Sequence, residues 1–255
     1  MISRPRRPLS LRGAALFSVS CLAILAIQGG PTLAAVINVA DDTWVREDDA
    51  DSNRNGNDQM NARTDIDADD NDVILLRFPT AGLPSGISGV SLDLFWQRSD
   101  SGASNTLKLY GLNETDPDET SWDETTVTYN NAPGLIPDGM DPTAETAAMA
   151  SYDEVQDLDT ANLTLLVADQ LYGPQVTNEK YSFSSAALDA FLNADTNGEV
   201  TFLILRGNES TSGNQARFWP KESGPGAVLS YVPEPASLGL LALAAAALAG
   251  RRRSA

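Results

Sequence analysis

Apolar side chains recur at every second position through much of the chain. Val90, Leu92, Leu94 and Trp96 alternate with Ser91, Asp93 and Phe95, the period of a strand with one buried face. Leu107 and Leu109 repeat the pattern, as do Leu163, Leu165 and Val167. Val73 to Phe78 is a continuous apolar run instead, which suits a strand covered on both faces. Val200 to Leu205 reads the same way, announced by the Asn197-Gly198 turn. Thr43 to Arg46 predicts an opening strand, and Ala216 to Trp219 and Ala227 to Tyr231 predict the closing ones. Tyr181-Ser182-Phe183 leads into a short helix, capped by Ser184 or Ser185, with Leu188, Phe191 and Leu192 on one face. About nine strands joined by polar loops predict an all-β fold, a β-sandwich. From Pro133 to Asp159 no period holds, and this stretch is expected to be a long loop.

Both ends break the alternation. Arg4, Arg6, Arg7 and Arg12 precede an apolar run from Ala14 to Ile27, and Thr32-Leu33-Ala34 follows with small residues. A basic region, a short apolar region and a small-residue cut site predict a secretory signal peptide over 1–35. At the other end Pro233-Glu234-Pro235 is followed by a Leu- and Ala-rich run from Ala236 to Gly250, then by Arg251, Arg252 and Arg253. As a helix that run measures roughly 22 Å at ~1.5 Å per residue, short of the ~30 Å hydrocarbon core. Its arginines belong on the cytoplasmic side, leaving the body outside. The order of motif, apolar transmembrane helix and basic end resembles the PEP-CTERM sorting signal of Gram-negative bacteria. That resemblance implies an exosortase as processing partner, transient inner-membrane contact, and delivery to the cell surface or extracellular matrix. The expected organisation is therefore signal 1–35, β-sandwich 36–232 and sorting tail 233–255.

With both ends set aside, the charge becomes more extreme. Seven of the 17 Lys and Arg and one of the 35 Asp and Glu lie in the ends, leaving ten cations, 34 acids and a net charge of −24. Such a surface repels nucleic acid and anionic membrane and attracts divalent cations. The chain has no histidine, and its one cysteine, Cys21, lies in the signal. Zinc sites of the usual kind, disulfides and Ser-His-Asp or Cys-His catalysis are thereby excluded from the body. Oxygen-ligated Ca²⁺ remains open, as a structural ion.

Trp122-Asp123-Glu124-Thr125-Thr126-Val127-Thr128-Tyr129-Asn130-Asn131-Ala132-Pro133 resembles the W-x-E-x-x-V-T-W-N-N-x-P signature of the DNRLRE domain family, with Tyr129 in place of a tryptophan. Asp42-Thr43-Trp44 resembles that family's opening aspartate-aromatic strand, and Leu75-Leu76-Arg77-Phe78 its L-L-R-F strand. Trp219-Pro220-Lys221-Glu222 and Leu229-Ser230-Tyr231 resemble its closing segment, with Pro220 in place of a serine. The resemblance implies a jelly-roll-like β-sandwich akin to carbohydrate-binding modules, some of which bind acidic polysaccharides such as alginate. On the residues alone the signature reads as structural. Trp122, Val127 and Tyr129 suit a core strand, Asn130 to Pro133 a turn, and Glu124 a bond to a backbone group. Arg77 and Glu222 are expected to form a buried ion pair.

For chemistry, the sharpest run is Asp65, Asp67, Asp69, Asp70 and Asp72, whose alternating acids can converge on Ca²⁺. It lacks an EF-hand's glycine at the sixth position, and Leu76 stands where the bidentate glutamate belongs. Glu47 to Asn53 is a second acidic run, and solvated acidic loops are the other reading of both. Trp44, Phe95, Trp96, Tyr110, Tyr172 and Trp219 are candidates to stack on sugar rings, and Arg46, Arg54, Arg63, Arg98 and Lys108 to pair with uronates. No acid pair sits in a recognisable hydrolase motif. The expected function is a non-catalytic, exported surface or matrix protein that binds extracellular polysaccharide. A polysaccharide lyase or hydrolase, and a purely structural calcium-binding surface protein, are the alternatives.

Overall fold

A computed structural model describes residues 34–63, 71–98, 105–136, 158–207 and 215–232. Its strands are β1 (Ala35–Asn38), β2 (Asp41–Arg46), β3 (Met60–Ala62), β4 (Asp72–Pro79), β5 (Ser88–Phe95) and β6 (Asn105–Leu112). Then follow β7 (Leu163–Tyr172), β8 (Lys180–Phe183), helix α1 (Ala186–Ala194), β9 (Glu199–Arg206), β10 (Ala216–Phe218) and β11 (Val228–Val232). Five strands form one sheet in the order β2-β4-β9-β6-β7, four form another in the order β1-β11-β5-β8, and β10 pairs with β3. All these pairings are antiparallel. The chain is an all-β sandwich, as its alternation predicts. The two strands that the pattern does not reveal, β1 and β3, are four and three residues long, too short to display a period.

Between the sheets lies the main core. Ile74, Leu76, Phe78, Phe202, Ile204, Leu107 and Leu109 from the five-stranded sheet meet Val90, Leu92, Leu94, Phe183 and Leu229 from the four-stranded one. A second core lies on the outer side of the five-stranded sheet, where Val73, Leu75, Leu203, Leu205, Tyr110 and Leu112 pack against Trp122, Val127, Tyr129, Leu135 and Leu158. Successive residues of β4 and β9 thus enter different cores. That is why their sequences are continuously apolar. Each fully buried Leu, Ile or Phe contributes about 1.5–3 kcal/mol.

Helix α1 packs on β5 and β7. Ser185 caps it, accepting the Leu188 N–H at 3.0 Å, and Leu188 and Leu192 are buried. On its polar side Asp189 accepts from the backbone of Gly89 and Val90, and Asn193 from Gly86 and Ile87. Phe191 lies over β6 at Gly111, where a Cβ would stand 2.5 Å from the ring.

Two expectations are corrected. The first concerns β7: Leu166 is 4% exposed whereas Leu165 is 44% exposed, so the alternation through Leu165 does not hold. The register with β6 slips on both sides of Leu109, each slip adding one residue on β7. Extra residues in a bulge invert the side-chain phase. The second concerns Trp122, Val127 and Tyr129, which are buried as expected but not on a strand. Asp123 accepts from Thr125 N and Oγ1 at 2.8 and 2.7 Å, and Asn131 Oδ1 from Thr128 N at 2.7 Å. These local bonds replace a ladder with turns and a 3₁₀ turn at Tyr129–Asn131.

The β7 slip has a direct test in chemical denaturation. Leu166→Ala is expected to lower the unfolding free energy by about 2–5 kcal/mol, and Leu165→Ala by no more than about 0.5 kcal/mol. Equal losses would restore simple alternation.

Candidate functional site

Two features stand out around the sandwich: a carboxylate cluster at the signature corner and a sheet face that no second apolar cluster covers among the described residues. In the corner, β2 is an edge strand of the five-stranded sheet, and the Asp42 N–H is taken by Glu124 Oε2 at 3.0 Å. That is the backbone bond expected of Glu124. Asn53 Nδ2 holds the same corner through Glu124 O and Val127 O, at 2.8 and 2.7 Å. From the far end of the chain Lys221 N donates to Asp42 Oδ2 at 2.9 Å. The Lys221 ammonium bonds Glu124, lies 2.9 Å from Glu222 Oε1 and 3.6 Å from Asp42 Oδ1. One carboxylate oxygen from each of Asp42, Glu124 and Glu222 lies within 4.8 Å of the other two. By donor chemistry this set suits a hard cation, and the lysine ammonium supplies the positive charge.

Burial dominates the electrostatics of this corner. Asp42 is 1% exposed, and desolvation pushes its carboxyl up from 3.8 to about 7, against the pull of the Lys221 backbone and ammonium. Lys221 loses solvation too, but its bonds to Glu124 and Glu222 and the charge of Asp42 hold the ammonium above the usual range. Glu119 is also 1% exposed, and burial lifts it from 4.5 to about 7 despite a bond from Asn197. The Glu119 carbonyl accepts from Thr201 Oγ1 at 2.6 Å, which accepts in turn from Trp122 Nε1 at 2.9 Å.

Arg77 does not meet Glu222. It stands directly opposite Asp41 in the β2–β4 register and donates to it through Nε at 2.8 Å. It also donates to Thr120 O at 2.7 Å and lies 5.3 Å over the Trp122 ring. Asp41 and Asp42 are neighbours on a strand and face opposite ways. Arg77 is therefore on the Asp41 side, and Lys221 and Glu222 on the Asp42 side.

The expected calcium run is only partly placed. Asp65, Asp67, Asp69 and Asp70 lie outside the described residues. Asp72 is fully buried in β4, with Arg46 Nε 3.7 Å away. The run from Glu47 to Asn53 does not converge. Glu47 accepts from Asn71, Asp48 pairs with Arg46, Asp49 takes Arg54 and Ser52, and Asp51 accepts from Asn130. The cluster that does form joins positions 42, 124 and 222, too far apart for spacing to reveal. The available signal was that each lies in a different landmark of the DNRLRE resemblance.

Of the aromatic candidates, Trp44, Trp96, Tyr110 and Tyr172 are buried, Trp96 stacking on Phe218 at 4.2 Å. Phe95 and Trp219 are half-buried. The Trp96↔Phe218 bridge sets them opposite each other, and Trp219 N donates to Phe95 O at 3.0 Å. Among the cations Lys108 is buried, Arg46 and Arg54 are engaged by acids, Arg63 bridges Asp72 through its backbone, and Arg98 is exposed just past β5.

Residues 34–162 match the family model described as carbohydrate-binding module family 96. The chain belongs to this family. The family-96 match ends just before β7, so the remaining strands complete both sheets from outside it. Lys221, beyond the match, closes the cluster on Asp42 and Glu124 within it. Residues 232–253 match the PEP-CTERM protein-sorting motif, which marks the chain for exosortase-type sorting and export. Pro233, Glu234, Pro235, Arg251, Arg252 and Arg253 lie outside the described residues. Among the described residues no helix is long and apolar enough to cross a membrane. No curated protein matches the chain in sequence.

Two expectations follow for the corner. Because folded Asp42 keeps its proton where the unfolded chain has lost it, its contribution is complete below pH ~4 and is lost as pH rises through 7. Asp42→Asn should remove up to about 1.4 kcal/mol per pH unit from the slope of unfolding free energy across pH 4–7; an unchanged slope would refute the assignment. Lys221→Met should cost about 3 kcal/mol by stranding buried Asp42 and half-buried Glu124. Glu222→Gln, at the exposed rim, should cost less than about 1 kcal/mol by the same denaturation measurement.

Proposed function

We propose that this chain is a non-catalytic surface or matrix protein whose β-sandwich binds extracellular polysaccharide after exosortase-type sorting. Membership of a carbohydrate-binding module family is the observation that carries the reading. The sorting motif supports a destination among extracellular polymers. The sandwich supports a binding role because one sheet carries a second core on its outer side while the other presents half-buried aromatic and polar side chains.

Non-catalysis rests on where the perturbed carboxyls lie. Asp42 and Glu119, which burial lifts to about 7, are each 1% exposed and turned to protein partners. A glycosidase acid must reach the glycosidic oxygen. Contact with the inner membrane belongs to the sorting step alone, through the apolar run at 236–250.

A glycan array of the secreted domain, run with and without Ca²⁺, tests the reading. Binding to at least one polysaccharide without release of reducing or unsaturated ends is expected. Absence of binding under both conditions would overturn it. So would cleavage that disappears in a single Asp or Glu variant.

A further inference from the structure

The outer face of the four-stranded sheet can be read row by row from its register, because residues directly opposite each other in antiparallel strands share a face. Leu92 pairs with Phe183 and Leu229, and these point into the core. The alternate positions therefore point outward. One outward row is Lys180, Phe95 and Trp219. The next is Ser182, Asp93, Val228 and Asn38, and the third is Ser91, Ser230 and Val36. None of these residues belongs to either apolar cluster. Lys180 and Phe95 lie on neighbouring strands, and Trp219, just past β10, is set beside Phe95 by the isolated Trp96↔Phe218 bridge, so the first row is about 10 Å broad.

The polar groups in these rows are organised rather than scattered. Asp93 is 4% exposed; it accepts from Ser91 Oγ at 2.6 Å and from Lys180 Nζ at 3.1 Å. The Lys180 side chain is 53% exposed, so its ammonium is neutralised by Asp93 yet reachable from solvent, and the bond to Asp93 uses one of its three donors. The indole of Trp219 is fixed by its Nε1 bond to Asn178 Oδ1 at 3.0 Å. Gly224 backs the ring so closely that a Cβ there would lie 2.5 Å from it. A ligand on this half-buried ring would have to approach from the side away from Gly224.

We propose that this face is the glycan-binding site, with Phe95 and Trp219 as the stacking platform, and that its ligand is a neutral polysaccharide rather than a polyuronate. This assignment rests on the polysaccharide-binding reading above. A pyranose ring offers an apolar C–H face to the aromatic pair and hydroxyls to its surroundings. The Lys180 donors and the Ser182 and Ser230 hydroxyls match those hydroxyls. A uronate carboxylate is matched best by a cation that no acid compensates, and Lys180 is compensated by Asp93. The net charge of −18 on the whole chain further opposes an acidic polymer.

Affinity electrophoresis against neutral glucans, mannans and galactans, and against alginate and polygalacturonate, tests both parts. Wild type is expected to bind a neutral polymer at least about tenfold more tightly than either polyuronate. Ser182→Trp, which plants bulk on the face, should weaken binding at least about tenfold with an unchanged melting temperature, and Lys180→Met should weaken it as much while lowering the melting temperature, because it strands buried Asp93. Trp219→Phe should still bind but lose the ligand-induced tryptophan fluorescence change. Face variants that bind like wild type would place the site elsewhere and leave the polysaccharide reading standing. A polyuronate preference abolished by Lys180→Met would keep the site and overturn the ligand class. Failure to bind any glycan would overturn the polysaccharide reading itself, and this site with it.

Discussion

Burial of β4 and β9 on both faces is the constraint from which the architecture follows. A strand covered on one side only can leave alternate positions polar, but these two cannot, and their odd and even side chains feed separate cores. The inner core demands a second sheet opposite. The outer core demands a cover, which Trp122, Val127, Tyr129 and the Leu135–Leu158 bridge provide. Once that cover occupies one side, polar and half-buried residues have one broad sheet face left to them, that of β1-β11-β5-β8. The asymmetry that positions a binding surface is thus a by-product of how the buried sheet is enclosed.

The carboxylate corner holds the two halves of the chain together. Asp42 lies near the start, Glu124 in the signature and Lys221 near the end, and the ammonium of Lys221 serves all three carboxylates, including Glu222. A lysine here does what a bound cation would do in an oxygen-ligated site, with the difference that it is covalently part of the last segment. Closing the chain and compensating the acids are one event. The raised carboxyl of Asp42 shows what remains uncompensated: burial costs it more than one shared ammonium returns.

Much of this was legible before folding. The alternation of β5 and β6 and the unbroken apolar runs of β4 and β9 announced both the strand content and the double coverage. Ser185 and the Leu188, Phe191 and Leu192 stripe announced the helix. What misled was local. One residue inserted on β7 between Leu165 and Val167 left Leu165 exposed and turned Leu166 and Val167 into the main core, and no composition signal marks such a slip. Asp123 and Asn131 drew the signature out of strand geometry by bonding their own backbone. Arg77 has acids on several sides in sequence, and only the register with Asp41 selects among them.

By itself the sequence determined the fold class, the acidic and cysteine-free body, the sorting end and the family, because these rest on short-range pattern and composition. The tertiary structure alone decided which carboxylates meet and, among the described residues, which face carries no second apolar cluster. Positions 42, 124 and 222, or 95, 180 and 219, are separated by scores of residues, and strand pairing rather than spacing makes them neighbours. Register is a long-range property, set when the cores close, and it is register that turns a scatter of aromatic, hydroxyl and charged residues into a surface.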